Sequence, residues 1–180
     1  RGRRQGRSRQ LRTGSETGSR RYTAAMKALH TVLASVDFSH TSSLALDYAK
    51  KMTRRFEASL HLLHVVTDDD VSPGTEVFLG FSEDTVQQKW VSEATTKLAT
   101  LCPADEQAAL RVQTTVEVGT PFVGIVRYAR AHEVDLIVMG THGRGAVQHL
   151  VLGSVAEQIV RQASCPVLTV RNPTHEFEAP

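Results

Sequence analysis

The amino-acid sequence predicts a single α/β domain, in which a mostly parallel sheet of five strands is covered by helices on both faces. The chain has 180 residues, the length of one domain or of one domain with a tail. Hydrophobic residues make up 41% of it and charged residues 22%, a balance that excludes a wholly disordered chain. Short apolar runs alternate with helical patterns, and this alternation is typical of parallel sheets with helical crossovers.

Five short segments have the composition of β-strands. Residues 29–37 and 59–66 are apolar runs, as expected for strands that are buried on both faces. Residues 112–118 alternate apolar and polar side chains, which predicts a strand with one more exposed face. Residues 134–139 form another apolar run, and the last strand, 166–171, begins with a proline at the position that strands tolerate.

Four segments between these strands have helical periodicity: 39–56, 86–101, 121–129 and 155–163. In the first, Leu44, Tyr48 and Met52 recur four residues apart with Ala45 and Ala49 beside them, which predicts one apolar helical face. In the last, we expect Ile159 and Val160 on the buried face. The remaining segments, including the polar stretch after the second strand, are predicted to be loops.

The first 25 residues differ from the rest of the chain in charge. They contain eight arginines and one glutamate, a net charge of +7, whereas the other residues carry 13 basic and 18 acidic side chains. The segment has no apolar face, so we expect a disordered tail over 1–25, a domain over 26–172 and a frayed end over 173–180. The tail is a basic arm for an anionic surface, a transit-like segment, or sequence upstream of a true start at Met26; ordered patterning after Met26 favours the last.

The cysteine count and the apolar runs bear on location and partners. Cys102 and Cys165 are too few for a disulfide scaffold or a cysteine-based zinc site, which favours a reducing compartment such as the cytoplasm. No apolar run reaches the roughly 18 residues of a membrane-spanning helix, and no secretory signal is visible. We therefore expect no membrane partner, and nucleic acid only through the basic tail.

Residues that could bind a ligand follow the predicted strands, at the edge where open parallel sheets bind their ligands. Asp37 follows the first strand, either as a ligand contact or as a cap for the helix that begins near Ser39. A glycine-rich segment, 140–149, follows the fourth strand, and Gly153 and Ser154 then open a helix. Glycines and a helix N-terminus let backbone N–H groups approach a phosphate. The alternative is that these glycines only shape a turn, because neither the P-loop nor the dinucleotide fingerprint is present.

Several other polar residues have a simpler interpretation. His61 and His64 lie in the second predicted strand without a cysteine or acid at metal-ligand spacing, so we expect histidines of the core or of a sheet edge. The successive acids 68–70 point in different directions, which predicts a solvated loop. We expect no metal site made by protein side chains.

The glycine pattern and its flanks resemble the nucleotide-binding motif of the universal stress protein family. The motif is Gly140-x2-Gly143-x9-Gly153-Ser154, and the stretches that carry the resemblance are 36–39, 63–66, 134–143, 152–156 and 164–170. Together they cover about residues 27–171 in order. The resemblance implies a flavodoxin-like fold of the adenine-nucleotide-binding type.

The same resemblance implies the residues that would hold ATP with Mg²⁺, because the members that keep the glycine motif bind ATP. Asp37 would face the adenosine, Val65 and Met139 would form walls for the adenine, and Ser35 would offer its backbone. The ribose and phosphates would lie along the remaining motif residues: Gly140, His142, Gly143, Arg144, Gly153, Ser154 and Val155.

Neither the residues nor the resemblance indicates a catalytic group. The sequence has no GxSxG, no HExxH and no P-loop lysine. We therefore expect a nucleotide-dependent module of the stress response with at most weak ATP hydrolysis. The alternative is a slow ATPase or another nucleotide-processing enzyme.

The last strand predicts how the domain assembles. By the resemblance it lies at the edge of the sheet, and its residues Val167, Leu168, Thr169 and Val170 would leave N–H and C=O groups unpaired. A two-fold-related copy of the same strand satisfies these groups with one self-complementary patch. Since the family commonly dimerises through this strand, we expect a homodimer with antiparallel pairing.

Overall fold

The described part of the chain forms one parallel sheet with helices on both faces. The computed structural model describes residues 28–67, 83–143 and 152–172. The strands are β1 (Thr31–Ser35), β2 (Ser59–Val66), β3 (Gln113–Val118), β4 (Leu136–Gly140) and β5 (Val167–Val170). All pair in parallel, in the order β3-β2-β1-β4-β5. This arrangement confirms the predicted fold class.

Five helices connect these strands in the described residues. They are α1 (His40–Phe56), α2 (Glu83–Thr100), α3 (Ala104–Ala109), α4 (Pro121–Ala131) and α5 (Ser154–Gln162). Four of them correspond to the predicted helices, and their bounds differ from the prediction by a few residues. Pro121 is at the first position of α4, where its missing N–H costs no helical hydrogen bond. No described helix is both long and apolar enough to cross a membrane.

The sheet separates two apolar cores, as the nearly continuous apolar strands predict. One core lies between the sheet and α1 with α2, and includes Leu60 and Leu62 of β2. The other lies against α4 and α5, and includes Leu63 and Val65 of the same strand. Successive side chains of a strand point to opposite faces, so one strand contributes to both cores. The buried His61 and His64 also belong to β2, which confirms that they are histidines of the core.

Two apolar side chains that were expected in the core are exposed. Tyr48 on α1 is 47% exposed and Val160 on α5 is 50% exposed. On α1 the two alanines of the predicted face, Ala45 and Ala49, are buried together with Leu46, and their small side chains let the helix approach the sheet closely. The Tyr48 ring faces outward, with the Lys51 Nζ 5.3 Å from its centroid.

The short helix α3 has no counterpart in the sequence prediction. None of its residues is buried, so its sequence ADEQAA has no apolar periodicity to detect. Glu106 connects it to α1: its Oε2 accepts a hydrogen bond from Lys50 Nζ at 2.6 Å, and its Oε1 pairs with Arg54. The hydrogen bond from Lys50 is the main reason why the pKa of Glu106 is lowered.

The neighbouring strands β1 and β4 form the centre of the sheet and its topological switch point. The chain moves from β1 outward to β2 and β3, and then returns to the other side of β1 with β4. The Oδ2 of Asp135 fixes the beginning of this pair by accepting the N–H groups of His30 and Thr31 at 2.8 and 3.1 Å. A crevice outside the carboxyl ends of β1 and β4 is where sheets of this kind bind ligands.

Candidate functional site

The predicted site residues converge at the carboxyl ends of β1 and β4. Ser35 is the last residue of β1 and Gly140 the last of β4, and the two strands pair just before these ends, up to Ala34 and Val138. Asp37 follows β1 by two residues, and His142 and Gly143 follow β4. The switch point therefore places the predicted site residues after β1 beside those after β4. Arg144, the acids 68–70 and the predicted termini lie outside the described residues.

The Asp37 carboxylate holds the turn between β1 and α1 with one of its oxygens. Its Oδ1 accepts a hydrogen bond from the Ser39 N–H at 3.0 Å. The N-cap of α1 is Ser39 itself, whose Oγ accepts the Ser42 N–H at 3.2 Å. Asp37 is therefore not the helix cap that the sequence left open as an alternative, and its second oxygen is directed elsewhere.

That second oxygen faces the turn that follows β4 at residues 141–143, called the glycine turn from here on. A Cβ atom added to Gly143 would lie 2.5 Å from Asp37 Oδ2, so the carboxylate would have to move. At Gly140 an added Cβ would meet Thr41 of α1 at 3.0 Å. Glycine at these positions therefore lets the end of β4 and the turn after it pack closely against Asp37 and the start of α1. Thr41 was not singled out from the sequence, and its contact with Gly140 could not be read from it.

The glycine at the start of α5 closes the same site from the other side. Gly153 is the N-cap of α5, and its N–H donates to the Thr141 carbonyl at 2.8 Å. A Cβ on Gly153 would lie 3.1 Å from that carbonyl oxygen. Gly153 has no side chain with which to cap α5, and Ser154 at the first helical position is exposed. The N–H groups of a first helical turn and the helix dipole favour an anion.

Thr141 links the glycine turn to the sheet, although the sequence analysis did not single it out. Its N–H donates to the Val170 carbonyl of β5 at 2.9 Å, and its own carbonyl accepts from Gly153. Its side chain is buried, with Oγ1 3.0 Å from Nδ1 of His142. The only signal in the sequence is a polar residue directly after a buried strand. His142 itself is half-buried at the turn.

The two predicted adenine walls lie on one face of the sheet. Val65 near the end of β2 and Met139 near the end of β4 are 7% and 6% exposed and belong to the same apolar core. Gly124 of α4 packs closely over Val65, since a Cβ there would lie 3.1 Å from a Val65 methyl group. The polar glycine turn thus borders an apolar core.

This combination suits a ligand that has a flat apolar part and an anionic end. The glycines and the start of α5 admit an anion, the Asp37 carboxylate can accept hydrogen bonds, and the small exposed parts of Val65 and Met139 are apolar. Among the described residues, no three or more His, Cys, Asp or Glu side chains lie close enough to hold a metal ion. Fold and site together define a doubly wound α/β domain with a glycine-lined switch point.

Comparisons with known proteins identify the family. The profile of the universal stress protein family matches residues 28–171, and the chain belongs to this family. It is 31% identical over 145 residues to Universal stress protein MJ0531 of Methanocaldococcus jannaschii, which covers 81% of this chain and 84% of that protein.

Solved structures show the same fold. The structure of MJ0577 from Methanocaldococcus jannaschii superposes with a TM-score of 0.68 at 28% identity, and covers 82% of this chain and 99% of that one. A universal stress protein in complex with cAMP superposes with a TM-score of 0.57 over 79% of this chain and 97% of that one. At 22% identity, this second likeness shows the fold alone.

Proposed function

We propose that this protein binds ATP with Mg²⁺ at the switch point between β1 and β4, as a member of the glycine-motif subgroup of its family. The observation that carries the proposal is the close approach of Gly143 to the Asp37 carboxylate and of Gly153 to the Thr141 carbonyl. A larger residue at either position would crowd these groups, whereas glycine lets backbone N–H groups come close to a phosphate chain. A protein of the same fold is in complex with cAMP, which is also an adenine nucleotide.

Each group of site residues would contact a different part of the ligand. Asp37 would accept hydrogen bonds from the adenosine, and the backbone of Ser35 would lie beside it. Val65 and Met139 would contact the adenine, while Gly140, His142, Gly143 and Arg144 would follow the ribose and phosphates. Gly153, Ser154 and Val155 would hold the terminal phosphates with the first N–H groups of α5. Mg²⁺ would bind through the phosphates, because it takes few protein ligands in such sites.

The proposed role is a regulatory module of the stress response, whose nucleotide state changes its shape or partners. The domain would act as a homodimer through β5 and in the cytoplasm. The cytoplasm is supported by the cysteine count, because two cysteines are too few for a disulfide scaffold. Regulation by bound ATP requires that the nucleotide stays intact, so we expect hydrolysis to be slow.

The test of this function is release of nucleotide from the purified protein. After denaturation, chromatography of the supernatant is expected to show adenine nucleotide in a stoichiometric amount. Radiolabelled ATP added to the native protein is expected to remain almost intact. Steady multiple turnover would favour the alternative of an ATPase. Absence of released nucleotide, together with no ATP binding by calorimetry, would refute the proposed site.

A further inference from the structure

The turn that carries Asp37 contains a phenylalanine in a backbone conformation that side-chain-bearing residues rarely adopt. Phe38 has a φ of 62°, in the left-handed region where Cβ crowds the backbone. Deep burial does not explain this residue, because its side chain is only half-buried and borders a small cavity beside Trp90 and Lys97. Specific contacts of the ring are therefore needed to hold the turn in this conformation.

These contacts attach the turn to the end of β2. The Phe38 ring centroid lies 4.6 Å from that of His64, at an interplanar angle of 49°. The His64 ring is fixed in turn, because it is buried and its Nδ1 lies 2.7 Å from the Val36 carbonyl oxygen. On the solvent side, Lys97 of α2 brings its Nζ to 5.8 Å from the centre of the Phe38 ring. His64 thus contacts the turn both before and after Asp37.

We propose that Phe38 is a positioning residue that acts through Asp37. By packing on His64, its ring holds the left-handed turn in which Asp37 directs one oxygen to the Ser39 N–H and the other toward Gly143. The effect on ATP binding rests on the proposed function, whereas the geometry of the turn does not. The inference assigns a role in ligand binding to a side chain that itself faces away from the glycine turn, toward α2.

The first measurement needs no nucleotide. Phe38→Gly removes the ring and relieves the backbone, but glycine also makes a turn more flexible by itself. Phe38→Asn, which lacks the ring but tolerates the left-handed conformation, is therefore measured beside it, and loosening shared by the two variants is assigned to the lost ring contacts. Amide hydrogen exchange at Ser39, whose N–H is bonded to Asp37, is expected to become about tenfold faster in both variants. Phe38→Tyr keeps the ring and should exchange as the wild type does. Phe56→Ala removes a 43% exposed phenylalanine at the end of α1 and is the matched control.

The second measurement is the affinity for ATP, by calorimetry. Phe38→Gly is expected to weaken ATP binding about tenfold, whereas Phe38→Tyr should bind ATP as tightly as the wild type does. In a protein that already carries Asp37→Asn, adding Phe38→Gly should cost little more, because the residue acts through that carboxylate.

Two results would overturn the inference: unchanged Ser39 exchange in Phe38→Gly or in Phe38→Asn, or effects of Phe38→Gly and Asp37→Asn on affinity that simply add. If the wild-type protein binds no ATP, the proposed function fails. The Ser39 exchange rate then still decides whether Phe38 holds the turn.

Discussion

The contact between Gly143 and Asp37 gives the sharpest prediction about a single residue. In Gly143→Ala the added methyl group would lie 2.5 Å from Asp37 Oδ2, so the carboxylate has to move away from its present direction. We expect ATP affinity to fall at least about tenfold, with a small change in melting temperature. Isothermal titration calorimetry measures the first effect and a thermal melt the second.

The matched control is another glycine that is needed for the backbone but is remote from the glycine turn. Gly119 has a φ of +130° and no atom within 4 Å of an added Cβ, so Gly119→Ala strains the chain without a clash. A stability loss of roughly 1 kcal/mol, and a melting temperature lower by about 2–4 °C, is expected with unchanged ATP affinity. Equal affinities of the two variants would contradict the assignment of Gly143.

The buried His61 predicts how stability depends on pH. Burial, and next the nearby His132, lower the pKa of His61 below its usual 6.5. About one pH unit or more above 6.5 the residue is neutral in both states and has no effect. Below this value the unfolded chain binds the proton more readily, so the free energy of unfolding decreases as the pH falls.

The variant His61→Gln is expected to flatten this pH dependence, because glutamine does not titrate and can still pair with the Tyr128 hydroxyl, now 3.1 Å from His61 Nδ1. Melting temperatures between about pH 7.5 and pH 5 measure the slope. His40→Gln, at an exposed position, is the control and should retain the slope of the wild type. The same slope in His61→Gln would show that other groups cause the pH dependence.

At the level of single residues, the family resemblance predicted which residues lie near one another, but not the backbone conformations and contacts that bring them together. The family resemblance named Asp37, Gly143 and Gly153, and these residues do lie at one edge of the sheet. The left-handed φ of Phe38 could not be predicted, because glycine or asparagine normally marks such a turn. The role of Thr141 rests on its backbone groups, which every residue type except proline possesses.

At the level of elements, strand β5 carries the prediction about assembly. The carbonyls of Pro166 and Val170 accept N–H groups of Ile137 and Thr141, so alternate residues of β5 face β4. By this alternation Leu168 also faces β4, while Val167 and Thr169 direct their N–H and C=O groups to the outer edge. The proposed antiparallel partner strand would pair with these outer groups.

Thr169→Pro is therefore the variant that separates the two protomers. The substitution removes an outward N–H and leaves the pairing with β4 intact, so we expect a folded monomer. Thr169→Val keeps the N–H and should remain a dimer. Light scattering decides between the masses. A dimer mass for folded Thr169→Pro would refute this interface, and a monomer mass for the wild type would refute the dimer.

The elements also show where sequence patterns are informative. Strands buried on both faces and helices with apolar stripes were predicted within a few residues, because their periodicity follows from burial. Helix α3 was missed, since ion pairs of Glu106 hold it and no apolar face does. On α1 the predicted apolar face contained Tyr48 beside Ala45 and Ala49, but only the alanines are buried and Tyr48 is exposed.

At the level of the whole molecule, the uneven distribution of charge gives a prediction about the tail. Deletion of residues 1–25 removes a net charge of +7 and no apolar face, so neither the melting temperature nor the ATP affinity should change. Affinity for single-stranded DNA, if the full chain has any, should disappear with the deletion and decrease steeply between about 50 and 200 mM salt. Thermal melts and fluorescence anisotropy test both points. A melting temperature several degrees lower would show that the tail packs on the domain.

The strand order has a consequence for folding kinetics. The candidate site exists only after β1 has paired with β4, and the groups that begin this pair, His30 and Asp135, are 105 residues apart. Contacts that close so long a loop form late, because the entropy of closure comes before their gain. A nucleotide at this junction would therefore stabilise the native state but not the transition state. In stopped-flow experiments, ATP is expected to slow unfolding in proportion to occupancy and to leave the refolding rate unchanged, so the ligand would lengthen the lifetime of the folded chain without helping it to form.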